Sequence, residues 1–75
     1  MGLWVKSQNG GYIGKINEVH IEFNRMFSEN VSCFVASGDL ILGKYQTIER
    51  ALEIADNIEY FLRRNSKKIY KMPKK

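Results

Sequence analysis

Side chains with reactive or metal-binding groups are few in this sequence and lie far apart. His20 is the only histidine and Cys33 the only cysteine among the 75 residues. Metal sites and nucleophilic dyads need several such groups in one place, and a lone histidine supplies no His-based cluster. The alternation of the neighbouring residues predicts that Cys33 is a small core residue and that His20 faces outward. Neither residue indicates a catalytic site or a metal site.

Two further patterns have the look of functional motifs but simpler explanations. Four acidic residues occur at helical spacing on the polar side of an amphipathic segment, where solvated charges are expected: Glu49, Glu53, Asp56 and Glu59. The glycine-rich stretch 10–14 lacks the Lys-Ser/Thr pair of a phosphate-binding loop and does not open a helix. We therefore predict no enzyme activity, no metal and no cofactor.

These residues are positioned by an α+β domain. We predict an antiparallel meander of about four strands packed on one long C-terminal amphipathic helix, with a short extra edge strand after the helix. Asn9-Gly10 is a strong hairpin signal between the first two strands. The strands are predicted at residues 3–7, 12–23, 31–36 and 40–45, with a turn at residues 37–39. Residues 1–65 form the single domain, and residues 66–75 form a basic tail that can dock on it.

The helix is the most strongly indicated element. Between Ile48 and Leu62, apolar residues recur at spacings of three and four for about four turns. Thr47 is a good N-cap, because its hydroxyl can accept a hydrogen bond from a free backbone N–H of the first turn. Asn65 can close the C-terminus. Every local signal therefore agrees on one helix.

The net charge of +4 conceals an asymmetry along the chain. From residue 63 onward there are seven basic residues and no acidic one. Such a segment attracts phosphate and would bind nucleic acid without sequence specificity. It is also explained as helix-end cations followed by a solubilising tail. The candidate phosphate-binding or anion-binding residues are Arg63, Arg64, Lys67, Lys68 and Lys71.

The predicted sheet has apolar residues on both faces, and one helix covers only one of them. We assign to the covered face Leu3, Val5, Val19, Ile21, Phe23, Val31, Cys33, Val35, Leu40 and Leu42. The opposite face then carries apolar side chains where a solvated face would be polar. We favour a homodimer packed through it; the alternatives are coverage by the tail, which contains Ile69, or a strand twist. The candidate interface or ligand-binding residues are Trp4, Phe34, Ile41, Tyr70 and Met72.

Nothing in the sequence indicates a membrane protein. The longest apolar run, residues 40–42, is far too short to span a bilayer. The N-terminus lacks the basic start and the apolar stretch of a secretory signal. We therefore expect a cytoplasmic protein without membrane contact.

Three blocks frame nearly the whole chain: Leu3-Trp4-Val5-Lys6-Ser7-Gln8, then Leu42-Gly43-Lys44-Tyr45 running into Thr47-Ile48-Glu49-Arg50-Ala51-Leu52-Glu53, and finally Ile69-Tyr70-Lys71-Met72-Pro73. In these blocks the chain resembles a group of small proteins from Gram-positive bacteria and their phages. Those proteins open with a Leu-Trp-Ile-Arg-Ser-Gln-like strand and close with Val-Tyr-x-Met-Pro. The resemblance implies a compact domain of phage or mobile-element origin and supplies no catalytic motif. Members often end acidic after the proline, whereas this chain ends in Lys74-Lys75.

These observations favour a small non-enzymatic binding module, a homo-oligomer that engages a protein or a small anionic ligand. A phage-derived protein of this kind would act on a host process such as a defence system. The alternative is a nucleic-acid-binding accessory protein that contacts phosphates through its basic C-terminal segment.

Overall fold

A computed structural model of the chain describes residues 2–24, 32–65 and 67–75. The described part confirms the α+β class, with six strands and one helix. In chain order the elements are β1 Leu3–Lys6, β2 Ile13–Ile16, β3 His20–Asn24, β4 Ser32–Ser37, β5 Leu40–Tyr45, α1 Ile48–Arg63 and β6 Tyr70–Lys71. The extra edge strand after the helix is therefore present as β6.

The strands form two three-stranded sheets that share the helix. The first sheet has the order β2-β1-β6, with β2 antiparallel and β6 parallel to β1. The second sheet has the order β3-β4-β5 and is antiparallel throughout. Two residues, Gly38 and Asp39, connect β4 to β5, and Gly38 has a positive φ of 57°, a conformation that glycine adopts without strain. This matches the turn signal in the sequence.

The predicted strand 12–23 is two strands, and each belongs to a different sheet. The break falls at residues 17–19. Here the Glu18 carboxylate accepts hydrogen bonds from the backbone N–H of Gly38 and the hydroxyl of Ser37, in and beside the β4–β5 turn. These bonds tie the chain to the second sheet just after it leaves the first. A sequence pattern of alternating residues contains no trace of this long-range contact.

The helix begins and ends as predicted. The Thr47 hydroxyl accepts a hydrogen bond of 3.2 Å from the backbone N–H of Arg50, and Asn65 adopts the left-handed conformation with a φ of 52° just after the last turn. The buried side of the helix carries Ala51, Ile54, Ala55 and Ile58. Ile48 and Leu52, which belong to the apolar pattern in the sequence, are exposed.

The core lies between the helix and the inner faces of both sheets. Its largest fully buried side chains are Leu3, Val5, Val35, Leu42, Ile54 and Ile58. Most of the residues assigned to the covered face do lie in or against this core. Phe23 is an exception, with 52% of its surface exposed, because it lies near the end of the edge strand β3. Val31 falls outside the described residues.

Candidate functional site

The outer face of the first sheet carries lysines around a tryptophan. On this face Trp4 lies directly across from Lys15, and Lys6 lies between Ile13 and Lys71 in the strand pairing. Leu3 and Val5, which alternate with these β1 residues, are buried. We call the outward set Trp4, Lys6, Ile13, Lys15 and Lys71 the basic sheet face.

The basic sheet face is compact. Neighbouring strands lie about 4.8 Å apart, and residues two apart on one strand lie about 6.7 Å apart. The backbone positions of the three lysines therefore lie within about 8 Å of that of Trp4. Trp4 itself is 46% exposed, a large fraction for a tryptophan. The face thus presents an exposed tryptophan with three lysines at neighbouring positions of the sheet.

The fold creates this charge by bringing the two ends of the chain together. Residues 2–17 and 67–75, which include all of the first sheet, contain seven lysines and no acidic residue. Residues 18–65 contain all eight acidic residues against five basic ones, a net charge of −3. The acidic residues of the helix, such as Glu53 and Glu59, are exposed there. The first sheet therefore carries only positive charges, whereas residues 18–65 carry charges of both signs.

The predicted anion-binding residues do not form one group. Lys71 alone belongs to the basic sheet face, beside Lys6. Arg63 is exposed in the last turn of the helix, and the guanidinium of Arg64 lies 4.9 Å from the ring centre of Tyr60. Lys67 and Lys68 are exposed in the segment between the helix and β6. The sequence segment is basic, but the structure distributes its cations over two regions.

The predicted interface residues also separate. Phe34 and Ile41 lie on the outer face of the second sheet, whereas Trp4 lies on the first sheet. Met72 is only 5% exposed and belongs to the core, and Tyr70 packs against that core, with its ring centre 5.7 Å from that of Phe61. Met72 is therefore not available to a partner. The tail packs beside β1 and leaves Trp4 and Ile41 exposed.

The second outer face, on β3-β4-β5, combines apolar residues with charges of both signs. One row across the strands reads Glu22, Phe34, Lys44, and the next reads His20, Ala36, Ile41. Ala36 is fully buried between its neighbours, while Ile41 is 44% exposed. The face is therefore an apolar centre flanked by an acid on one edge and a base on the other.

His20 interacts with two carboxylates at one edge of this face. Its Nε2 lies 3.4 Å from Glu22 and its Nδ1 lies 3.5 Å from Glu18. The hydrogen bond to Glu22, with a smaller contribution from Glu18, raises the pKa of His20 above its ordinary value. The Gly38 N–H holds the pKa of Glu18 below its ordinary value. Within residues 2–24, 32–65 and 67–75, no set of three His, Cys, Asp or Glu side chains could hold a metal ion.

Gln8 connects the two sheets and the tail, a role that sequence reasoning missed. Its backbone N–H donates to the Leu42 carbonyl at 2.8 Å, and its side-chain oxygen accepts from the Lys44 N–H at 2.9 Å. Its side-chain nitrogen donates to the carbonyls of Lys44 at 3.0 Å and Lys74 at 2.9 Å. One side chain therefore joins β5 to the C-terminal tail next to the β1–β2 hairpin.

Tyr45 binds the same tail through its hydroxyl group. Its hydroxyl donates to the Pro73 carbonyl at 2.7 Å, and burial raises the pKa of Tyr45 to about 12. The ring lies so close to Gly43 that an added Cβ there would be 2.8 Å from the Tyr45 Oη, so a bare glycine is needed. The backbone N–H of Met72 completes the junction by donating to the Lys6 carbonyl.

This junction brings together the three sequence blocks that frame the chain. Gln8 ends the first block, Gly43 and Tyr45 belong to the second, and Met72 and Pro73 belong to the third. In this chain, the hydrogen bonds and packing at the junction explain the presence of these residue types, without any role in catalysis. The signal for this junction in the sequence was the three blocks. Gln8, the polar residue that ends the first block, has specific hydrogen-bonding partners, as polar groups away from water usually do.

In the part of the chain that the structure describes, no helix has the length and apolar character needed to cross a membrane. Comparison of the chain with protein-family models, with curated proteins and with solved structures finds no match.

Proposed function

We propose that the chain is a non-enzymatic binding module that holds the phosphate backbone of a nucleic acid on its basic sheet face. The observation that carries the proposal is the arrangement of Lys6, Lys15 and Lys71 around Trp4, in a sheet without any acidic residue. The sequence predicts nucleic-acid binding as the alternative function, through the basic C-terminal segment. The proposal keeps that function but places the phosphate contacts on the first sheet.

Lysines placed in this way suit a chain of phosphates better than a single small anion. Small anions are usually held by several converging N–H groups, at a helix N-terminus or in a concave loop. The three lysines here project from three different strands of a sheet. Each can neutralise a separate phosphate and release its counterions, which makes the affinity strongly dependent on salt.

The proposal is tested by neutralising the face. We expect the triple variant Lys6→Gln, Lys15→Gln, Lys71→Gln to bind a fluorescently labelled oligonucleotide at least about tenfold more weakly at low salt, since each lost phosphate contact removes released counterions. The slope of log affinity against log salt should fall by about 2. Fluorescence anisotropy at four salt concentrations measures both quantities.

A matched control removes the same charge from another surface. The triple variant Arg63→Gln, Arg64→Gln, Lys67→Gln lowers the net charge equally but alters only the helix end. At 0.1 M salt we expect it to change affinity less than about threefold, since long-range attraction is screened over about 10 Å there. If both variants lose affinity equally, net charge and not the basic sheet face is responsible. If the wild-type protein binds no nucleic acid at low salt, the proposed function is wrong.

We also propose that the second outer face packs against a second copy of the chain. A two-fold axis along β4 through Phe34 would place Glu22 of each copy opposite Lys44 of the other, so the face is complementary to itself in charge. Three strands of about five residues cover roughly 15 by 17 Å, which is about a third of the area that a standard interface buries on each partner. We therefore expect a weak dimer that forms at hundreds of micromolar, which sedimentation velocity can measure.

A further inference from the structure

We infer that the nucleic acid held by the basic sheet face is single-stranded and that one of its bases stacks on the indole ring of Trp4. The inference rests on the proposed function and deepens it, because it names the form of the ligand and the residue that recognises bases. Stacking on exposed aromatic side chains, with cations on the backbone phosphates, is the general way in which proteins hold single strands.

The surroundings of Trp4 leave its ring accessible. Lys15, directly across the sheet from Trp4, has its Cγ so close to Gly2 that a Cβ added there would lie 2.8 Å away. The stem of Lys15 therefore runs over the bare backbone of Gly2. The end of Lys6 points toward the hairpin, where its Cε lies 3.7 Å from the position of a Cβ on Gly10. The two lysine side chains therefore extend toward opposite ends of β1, and 46% of the tryptophan surface stays exposed.

The shape of the face argues against double-stranded DNA. The major groove is about 12 Å wide and admits one helix or a two-stranded ribbon. A three-stranded sheet already spans about 10 Å between its outer backbones, and its side chains add several more. The exposed side of α1 is also unsuited to the groove, because it carries Glu49, Glu53, Asp56 and Glu59. In a duplex, moreover, the faces of the bases are stacked on each other and cannot reach Trp4.

Trp4 is also the reporter for the experiment, because it is the only tryptophan of the chain. We would titrate the protein with a single-stranded oligonucleotide, a duplex of the same length, an abasic oligonucleotide and inorganic polyphosphate. We expect the single strand to quench Trp4 fluorescence and to bind at least about tenfold more tightly than the abasic strand or the duplex. Polyphosphate should bind through the lysines without comparable quenching.

Variants of Trp4 separate stacking from charge. We expect Trp4→Leu to weaken binding of the single strand about 5- to 150-fold and to leave polyphosphate binding unchanged, while Trp4→Phe keeps part of the affinity because the ring remains. Tyr60→Leu is the matched control, since Tyr60 is an exposed aromatic residue on the helix, and it should have no effect. Thermal unfolding of each variant checks that the fold is retained.

The outcomes distinguish the inference from the proposed function. Equal binding of the single strand and the abasic strand, or of the single strand and the duplex, overturns the inference while the lysine-dependent binding still stands. Failure of every phosphate polymer to bind overturns both. Binding of vesicles with anionic lipid in preference to any nucleic acid, lost in Trp4→Leu, would also overturn the inference and assign the face to a membrane surface.

Discussion

The two sheets differ in where their strands come from and in what their outer faces carry. The second sheet is made from one continuous stretch of chain between His20 and Tyr45, and every pairing in it is antiparallel. The first sheet joins the two ends of the chain and includes a parallel strand of only two residues, Tyr70–Lys71. Its outer face is basic and aromatic, whereas that of the second sheet carries both signs of charge around an apolar centre.

The second sheet is built from consecutive strands and the first from distant ones, and the two contribute different surfaces to one small domain. The second sheet consists of three strands that are consecutive in the chain, so its faces follow from one stretch of sequence. The first sheet gains its third strand only when the tail reaches β1, and the tail is held by Gln8, Tyr45 and the buried side chain of Met72. The place of Lys71 on the basic sheet face therefore depends on contacts outside the sheet.

The largest expected effect breaks the proposed contact between second outer faces. Glu22→Lys would place two pairs of lysines against each other across the two-fold axis. Because each attraction becomes a repulsion, we expect dimerisation to weaken about 100-fold, which corresponds to about 3 kcal/mol. Sedimentation velocity at several hundred micromolar measures the loss, and nucleic-acid binding by the first sheet should remain.

The charge swap supplies its own control. Lys44→Glu alone should disrupt the dimer as Glu22→Lys does, and the double variant should restore it, because the pairs are then opposite in sign again. Glu59→Lys changes the same charge on the helix and should leave the dimer intact. A wild-type protein that stays monomeric at every concentration would rule out the dimer.

An intermediate effect is expected where the two sheets meet. Gln8→Ala removes the hydrogen bonds to Lys44 and Lys74, which are close to the surface, so water can replace them in part. We expect the free energy of unfolding to fall by about 1–2 kcal/mol. Hydrogen exchange at the Met72 amide should increase more than exchange in β4, because the tail is released first.

Gln46→Ala is the matched variant for that measurement, since Gln46 is an exposed glutamine just after β5. Its effect should stay below about 0.5 kcal/mol. Chemical denaturation gives both stabilities. Equal loss in the two variants would mean that Gln8 does not join the sheets in the way its hydrogen bonds indicate.

The smallest effect at neutral pH concerns the tail contact, because its pH dependence begins only near pH 10. Burial raises the pKa of Tyr45 to about 12, whereas a tyrosine in the unfolded chain has a pKa of about 10. Between these values the unfolded chain releases the proton and the folded chain keeps it. The stability from this group is therefore complete below pH 10 and is lost as the pH rises toward 12, by at most about 1.4 kcal/mol per pH unit.

Tyr45→Phe removes the titrating group and keeps the ring. Plots of unfolding free energy against pH should therefore be flatter for the variant than for the wild type between pH 10 and 12. All other ionisable groups are the same in both proteins, so their contributions cancel in the difference. Parallel plots would show that the Tyr45 hydroxyl is not held in the buried form described here.

The helix and the turns were predictable because their signals are local. Thr47, Asn65 and the spacing of apolar residues fix the limits of α1, and Asn9-Gly10 and Gly38 mark turns within a few residues of the strands they join. Alternation along β1 and β4 also predicted correctly that Leu3, Val5, Cys33 and Val35 are buried.

Other features failed to follow from the sequence because they depend on long-range contacts. The break between β2 and β3 reflects the hydrogen bonds of Glu18 to the β4–β5 turn. Met72 has the same apolar character whether it covers a partner or fills a core, and only its position beside β1 decides between them. Trp4 and Phe34 each alternate with buried residues along their strands, which predicts that both face outward. Alternation does not reveal that the two residues lie on different sheets.

The sequence by itself determined the α+β class, the helix with its caps, and a chain whose two ends are basic and whose middle is acidic. These properties follow from counts of charged residues or from patterns within a few neighbouring residues. They can therefore be predicted without knowing any contact between distant residues. Only the tertiary structure decided that Lys15 from near one end and Lys71 from the other share a face with Trp4. The pairing of β1 with β6, which are more than fifty positions apart in the chain, creates that face. The contacts that stabilise this pairing lie in the core and in the tail junction.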